Sequence, residues 1–196
     1  FDAHGNPLPE LAPLTSCDGS SNRNPEIAVL PNGNFVVVWD HVPCVDCSTS
    51  CNDCDADVAM VMFSHEGVPL TEMTIVNSTL LEGQTGGNVL AWPDGHFIVV
   101  WNSYPDGSTP DNEGQDGFGS GVYGQLFDAN GDRIGSEFQM NQQGYGQESH
   151  SNSILRDDGN LVVAWRDCWR SDFRVFDSDG TPETDDVILN GSDSRW

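Results

Sequence analysis

The densest reactive cluster in the chain is Cys44-x-x-Cys47 followed closely by Cys51-x-x-Cys54, with His41 just upstream. Thiolates held this close can bind a soft metal such as zinc or Cu(I), with His41 as a further ligand. Structural zinc sites usually separate their two pairs by a longer stretch, so that four ligands converge tetrahedrally. No Cys-x-x-Cys-His is present for covalent haem. In an oxidising compartment a disulfide-stapled loop is the simpler reading. Cys17 and Cys168 complete the six cysteines, and a Cys17–Cys168 bridge would tie the first and last repeat units together. Connectivity among six cysteines is not readable from sequence.

A second loop is rich in oxygen. Asp106, Asp111, Glu113 and Asp116 are candidate hard ligands for calcium, although their spacing matches no EF-hand and a solvated acidic loop is the simpler reading. No cofactor is required by any motif, and Ca2+ is the ion this acidic loop would take. Trp169, beside Cys168 and Arg170, is a candidate platform for a sugar or a partner chain, as are Tyr104 and Tyr123 near the acidic loop. The five histidines, His4, His41, His65, His96 and His150, are scattered, and no Gly-x-Ser-x-Gly occurs. Carboxylates are too abundant for any one pair to signify, so the sequence predicts a protein that is not an enzyme.

These residues are positioned by a repeat. Pro31-Asn32-Gly33-Asn34-Phe35-Val36-Val37-Val38-Trp39 returns as Pro93-Asp94-Gly95-His96-Phe97-Ile98-Val99-Val100-Trp101. It returns again as Asp157-Asp158-Gly159-Asn160-Leu161-Val162-Val163-Ala164-Trp165, with glycines and tryptophans spaced by 62 and 64 residues. Each copy reads as a tight turn feeding a strand buried on both faces. A second element, Phe-x-x-x-Gly, begins at Phe1, Phe63, Phe127 and Phe176, and reads as a hairpin turn whose glycine supplies a positive φ. Fourteen residues after each Phe stands Thr15, Asn77, Asn141 or Asn190.

The predicted unit is four antiparallel strands. They are an inner strand (Ile27–Leu30, Val89–Trp92, Ser153–Leu155), the Phe/Val/Trp strand, a third strand, and a fourth after the second hairpin. The third-to-fourth pairings expected are Val58–Phe63 with Leu70–Val76, Val122–Phe127 with Ile134–Met140, and Phe173–Phe176 with Val187–Leu189. Such units at this spacing predict an all-β, propeller-like fold, a β-sandwich or stacked β-array being the alternative. The chain divides into a leading strand (1–16, Leu8–Leu14), blade 1 (17–78), blade 2 (79–142) and blade 3 (143–196), all within one repeat domain. Three blades are too few to close a ring alone, which predicts assembly or a longer parent.

Gly135-Ser136-Glu137-Phe138-Gln139-Met140-Asn141, then Gln147, then Asp158–Trp165 resembles a tandem repeat of large secreted bacterial proteins, and so does Gln115-Asp116-Gly117 through Asp128. The family comprises calcium-associated exoproteins, adhesins and surface proteins. The resemblance implies an extracellular location and a repeat architecture, and it brings no catalytic motif.

Six cysteines, enough for three disulfides, fit an oxidising compartment and agree with that location. Thirty-one acidic residues face seven basic ones, all arginine, for a net charge of −24. Such a surface repels phosphate backbones and anionic lipid, so nucleic acid and direct membrane insertion are excluded as partners. No apolar run is long enough to span a bilayer. Phe1 falls inside a repeat and no initiator Met precedes it, so a processed product or a piece of something longer is expected. The sequence thus predicts an extracellular, cell-surface or periplasmic structural or adhesive protein, with itself, other chains or a glycan as partner. The competing readings are a carbohydrate-binding lectin and a metal-binding protein.

Overall fold

The computed structural model describes residues 21–43, 56–80, 83–105, 115, 119–142, 148–168 and 170–190. Among them every regular element is a strand. Blade 1 holds β1 (Ser21–Val29), β2 (Phe35–Val42), β3 (Asp57–Phe63) and β4 (Thr74–Ile75). Blade 2 holds β5 (Gly83–Ala91), β6 (Phe97–Tyr104), β7 (Gly121–Phe127) and β8 (Arg133–Gln139). Blade 3 holds β9 (Glu148–Leu155), β10 (Leu161–Asp167), β11 (Arg170–Phe176) and β12 (Val187–Asn190). Each blade is one antiparallel sheet whose strands lie in chain order, so each is a meander of hairpins. The predicted all-β class with four-stranded antiparallel units stands. The predicted leading strand lies outside the described residues.

The turns follow the predicted chemistry. Gly33, Gly95 and Gly159 adopt φ of 85°, 99° and 88°, and each donates its N–H to the carbonyl three residues back. In the second hairpin, Asp128 Oδ1 accepts from Asn130 N (2.8 Å) and Asp132 N (2.9 Å), and Asp177 Oδ1 accepts from Asp179 N (3.0 Å) and Thr181 N (2.7 Å). These backbone bonds, that from Asp132 foremost, hold the Asp128 carboxyl below the usual range. Turn geometry therefore accounts for both aspartates.

Three strand expectations needed correction. The inner strands begin several residues earlier than their apolar runs, because each contains a β-bulge. Asn24 (φ 51°), Gly86 (φ 70°) and His150 (φ 54°) occupy the same place in β1, β5 and β9, beside the register shifts. The expected strand Leu70–Val76 shrinks to Thr74–Ile75, because Pro69 can offer no ladder N–H and Thr71 Oγ1 takes the Met62 N–H (3.0 Å) instead. Blade 3 repeats this device with Pro182 and Thr184 Oγ1, which accepts from Val175 N (3.1 Å). Finally, of the three Phe/Val/Trp strands only β6 is buried along nearly its whole length on both faces, since it alone has a described blade on each side.

Blades pack face to face. Val36, Val38, Val58, Met60 and Met62 of blade 1 meet Val89, Phe97, Val99, Trp101 and Phe127 of blade 2. Ile98, Val100, Val122 and Leu126 on the other face of blade 2 meet Leu161, Val163, Trp165 and Phe176. The opposite face of blade 1 packs Trp39, Val61 and Phe63 together but leaves Ile27 59% and Val29 68% exposed, where blade 2's matching Val89 is buried. The inner strands meet across sheets, β5 lying against β1 and β9 against β5, which is the radial convergence of blades.

Two of the asparagines fourteen residues after each Phe, Asn77 and Asn141, also have a structural role. Asn77 Oδ1 accepts from Val58 N (2.8 Å) and Asn141 Oδ1 from Val122 N (2.9 Å), each sealing the start of a third strand. Asn77 is buried, so its Asn-x-Thr sequon is not presented by the folded chain.

Candidate functional site

At one end of each blade the close of the second strand (β2, β6, β10) pairs with the start of the first (β1, β5, β9). There, between blades 2 and 3, a cleft of about 440 Å³ opens, lined by Tyr104, Ser120, Ser149, His150, Arg166 and Cys168 among others. Tyr104 ends β6, Ser149 and His150 begin β9, and Arg166 lies near the end of β10, paired in register with Ser149. The bulge at His150 turns this segment, and the imidazole Nδ1 lies 3.1 Å from Ser149 Oγ. Burial, with the nearby Asp40 charge as a smaller cause, pushes the Tyr104 phenol up, so it stays a neutral hydroxyl.

Arg166 owes its place to the repeat. The residue after the strand tryptophan is Asp40 in blade 1 and Asn102 in blade 2. In both, a side-chain oxygen clamps the bulge of the following blade. Asp40 Oδ1 accepts from Gly86 N (2.8 Å), and Asn102 Oδ1 accepts from Ser151 N (3.3 Å). Asp40 Oδ2 also accepts from Asn24 Nδ2 (2.7 Å). Burial raises the Asp40 pKa and these bonds oppose the rise. Arg166 cannot accept a hydrogen bond. Its Nε instead donates to Cys168 O (3.1 Å), tying down the left-handed turn at Cys168 (φ 46°).

Two residues after Cys168, Arg170 bridges Asp167 (2.8 Å) and Asp172 (2.9 Å). Asp172 is 1% exposed. Burial raises its pKa, with Arg170 opposing and Asp167 and Asp186 adding to it. A raised carboxyl pKa suits a general acid. Neither Asp40 nor Asp172 lines the cleft, however, and both are held by structural partners.

Of the residues singled out in the sequence, Tyr104 and Cys168 line the cleft, and Cys168 is an exposed free thiol. Tyr123 is not a platform: it is buried in the core between blades 1 and 2, with its ring stacked on Trp101 (6.4 Å). His41 Nδ1 lies 2.9 Å from Asn22 Oδ1, the same oxygen that accepts from Trp39 Nε1 (3.0 Å). Trp169, Cys17, Cys44, Cys47, Cys51, Cys54, Asp106, Asp111, Glu113 and Asp116 lie outside the described residues. Among the described residues no group of three or more His, Cys, Asp or Glu converges as a metal site, and no helix is long and apolar enough to cross a membrane. Sequence reasoning missed Ser149, His150 and Arg166. The available signal was a base standing where the other two copies carry Asp40 and Asn102.

No family model and no curated protein matches the chain. Solved structures do. Zg3597, a family 117 glycoside hydrolase of the marine bacterium Zobellia galactanivorans, superposes with a TM-score of 0.57 at 12% identity, over 90% of this chain and 58% of that one. The endo-arabinase of Bacteroides thetaiotaomicron gives 0.53 at 13% identity, over 86% of this chain and 62% of its own. The α-L-arabinanase of Penicillium chrysogenum, solved with arabinobiose, gives 0.57 at 12% identity, over 88% and 52%. The chain thus spans between 52% and 62% of the length of these proteins. The expectation of a structural or adhesive, non-enzymatic protein is corrected by this likeness, because the matched structures are glycoside hydrolases rather than adhesins or calcium-associated exoproteins. The lectin alternative comes nearer to them in ligand but not in activity, and the metal-binding alternative gains nothing from them. At this level of identity the likeness establishes the fold: the three sheets are blades of a β-propeller architecture.

Proposed function

We propose that the chain belongs to a carbohydrate-processing enzyme and that the cleft between blades 2 and 3 receives the sugar. The observation that carries this reading is the cleft itself, at the end of the blades where their first strands begin. Its wall combines an aromatic ring, hydroxyls, an imidazole and a guanidinium. Saccharides are gripped by such sets, with planar rings against C–H faces and fixed donors and acceptors on the hydroxyls. The fold likeness to hydrolases of arabinan-type glycans supports the same substrate class. Glycoside hydrolysis needs two carboxyl groups flanking the scissile bond. The described wall contributes binding and orienting groups to that chemistry. A polysaccharide substrate also agrees with action outside the cell, where polymers are met.

The test is to incubate the full chain with arabinan, linear arabino-oligosaccharides and β-1,3-galactan, measuring released reducing ends and, in parallel, amide shifts of residues 148–150 and 166–168. Reducing-end release with shifts centred on these residues is expected. Neither release nor shifts with any of the three glycans would remove the reading.

A further inference from the structure

We infer that the cleft between blades 2 and 3 is built for an anionic saccharide, one bearing a uronate carboxylate or a sulfate ester, with Arg166 as the residue that pairs with the charge. This inference rests on the carbohydrate reading above and narrows its substrate class. The first observation is one of composition against place. The protein carries 31 acidic residues and a net charge of −24, yet no carboxylate is among the described residues that line the cleft. The charged group that does line it is a guanidinium.

The second observation is that, among the described arginines, this guanidinium is uncommitted where the other five are used. Arg133 donates to Gln125 Oε1 and Ile75 O, Arg156 pairs with Asp158 (2.7 Å), and Arg170 holds Asp167 and Asp172. Arg174 donates to Met140 O and Thr184 O. Arg23 interacts with Asp40. Arg166 uses Nε on Cys168 O, and its two Nη nitrogens have no acceptor among the described residues. The Nε bond fixes the plane of the guanidinium and leaves the outer edge for a planar carboxylate or a sulfate, the geometry in which arginine surpasses lysine.

The third observation is positional. The repeat calls for an acceptor here, Asp40 in blade 1 and Asn102 in blade 2, each turned onto the next blade's bulge. Blade 3 replaces the acceptor with a donor and sets it in the cleft wall. Beside it, the Ser149 hydroxyl and the His150 imidazole, 3.1 Å apart, supply further donors to the sugar or its anionic substituent.

The experiment is calorimetric titration of the full chain at 0.15 M salt, where screening confines the influence of the net charge. The probes are trigalacturonate, an O-sulfated galactotriose and neutral arabinotriose, applied to wild type, Arg166→Ala and Arg166→Lys. Arg166 is exposed, so both variants are expected to fold, and equal urea midpoints check it. One or both anionic probes should bind, and their relative affinity distinguishes carboxylate from sulfate. Arg166→Ala should weaken them about tenfold to a hundredfold, the scale of one hydrogen-bonded charge pair. Arg166→Lys should recover part of the loss, and arabinotriose should be unaffected by either change. If arabinotriose binds as tightly as the anionic probes and Arg166→Ala leaves all three alike, the anionic specificity is overturned while the carbohydrate reading stands. If no probe binds wild type, the anionic specificity is overturned, and the reducing-end and amide-shift test above decides the carbohydrate reading.

Discussion

Asp40 offers the sharpest test of how the blades are joined. Its carboxylate is 2% exposed and takes two hydrogen bonds, from Gly86 N at 2.8 Å across the blade interface and from Asn24 Nδ2 at 2.7 Å within its own sheet. Hydrogen bonds to a charged group contribute about 1.5–3 kcal/mol each, and truncation also relieves the cost of burying the charge. Asp40→Ala should therefore cost about 2–4 kcal/mol, lowering the melting temperature of a chain of this size by about 5–15 °C. Asp40→Asn restores the group that blade 2 uses at this position, keeps the acceptor for Gly86, and should cost less than half as much. The two proteins should also differ in pH dependence. Burial raises the Asp40 pKa, so the folded state holds its proton longer than the unfolded chain. Wild-type stability then falls as pH rises from the ordinary carboxylate range through the raised value, and Asp40→Asn lacks that fall. The advantage of wild type over Asp40→Asn should accordingly shrink between pH 4 and pH 7 in urea titrations. An Asp40→Ala protein within 0.5 kcal/mol of wild type, beyond the tolerance expected of a neutral surface change, would refute the clamp. So would a gap to Asp40→Asn that widens with pH.

Other interfaces give simpler expectations. Trp92 is buried, stacks on His96 and donates Nε1 to Gly159 O of the blade 3 turn at 2.7 Å. Trp92→Phe should cost about 1–3 kcal/mol in urea unfolding by orphaning that carbonyl, with the m-value unchanged. A Cβ at Gly87 would lie 2.8 Å from Val58 Cγ1, so Gly87→Ala should cost about 1–3 kcal/mol, and a double-mutant cycle should show a smaller cost in a Val58→Ala background. The exposed thiol of Cys168 should react with a maleimide in the native protein, and saturating trigalacturonate should slow that reaction, because the thiol lines the same cleft as Arg166.

The propeller was legible because its blades are written in local chemistry: a turn glycine, a run of β-branched residues and a tryptophan, three times over. The ends of the inner strands were not. Their bulges use Asn24, Gly86 and His150, three unlike residues that share only a left-handed backbone, so no residue type announces them. Tyr123 misled for a related reason. It stands near the acidic loop in sequence, yet β7 turns its ring onto Trp101. The cleft escaped because it belongs to no single repeat. Tyr104 comes from one blade and Ser149, His150 and Arg166 from the next, and only packing brings them together. Arg166 stood out as an exception to a pattern, and the pattern's meaning emerged only when Asp40 and Asn102 were seen holding neighbouring amides.

That clamp has a direction. The side chain always comes from the earlier blade and the amide from the later one, so each junction carries an address. Blades of this chain are therefore not interchangeable modules. Blade 1 can be followed by blade 2, and blade 2 by blade 3. A shuffled protein placing blade 2 directly after blade 3 would set the Arg166 guanidinium against the Gly86 amide, donor facing donor. Engineering a longer or reordered array from these units requires changing residue 166 to Asp or Asn first. One side chain per blade sets the grammar of the series.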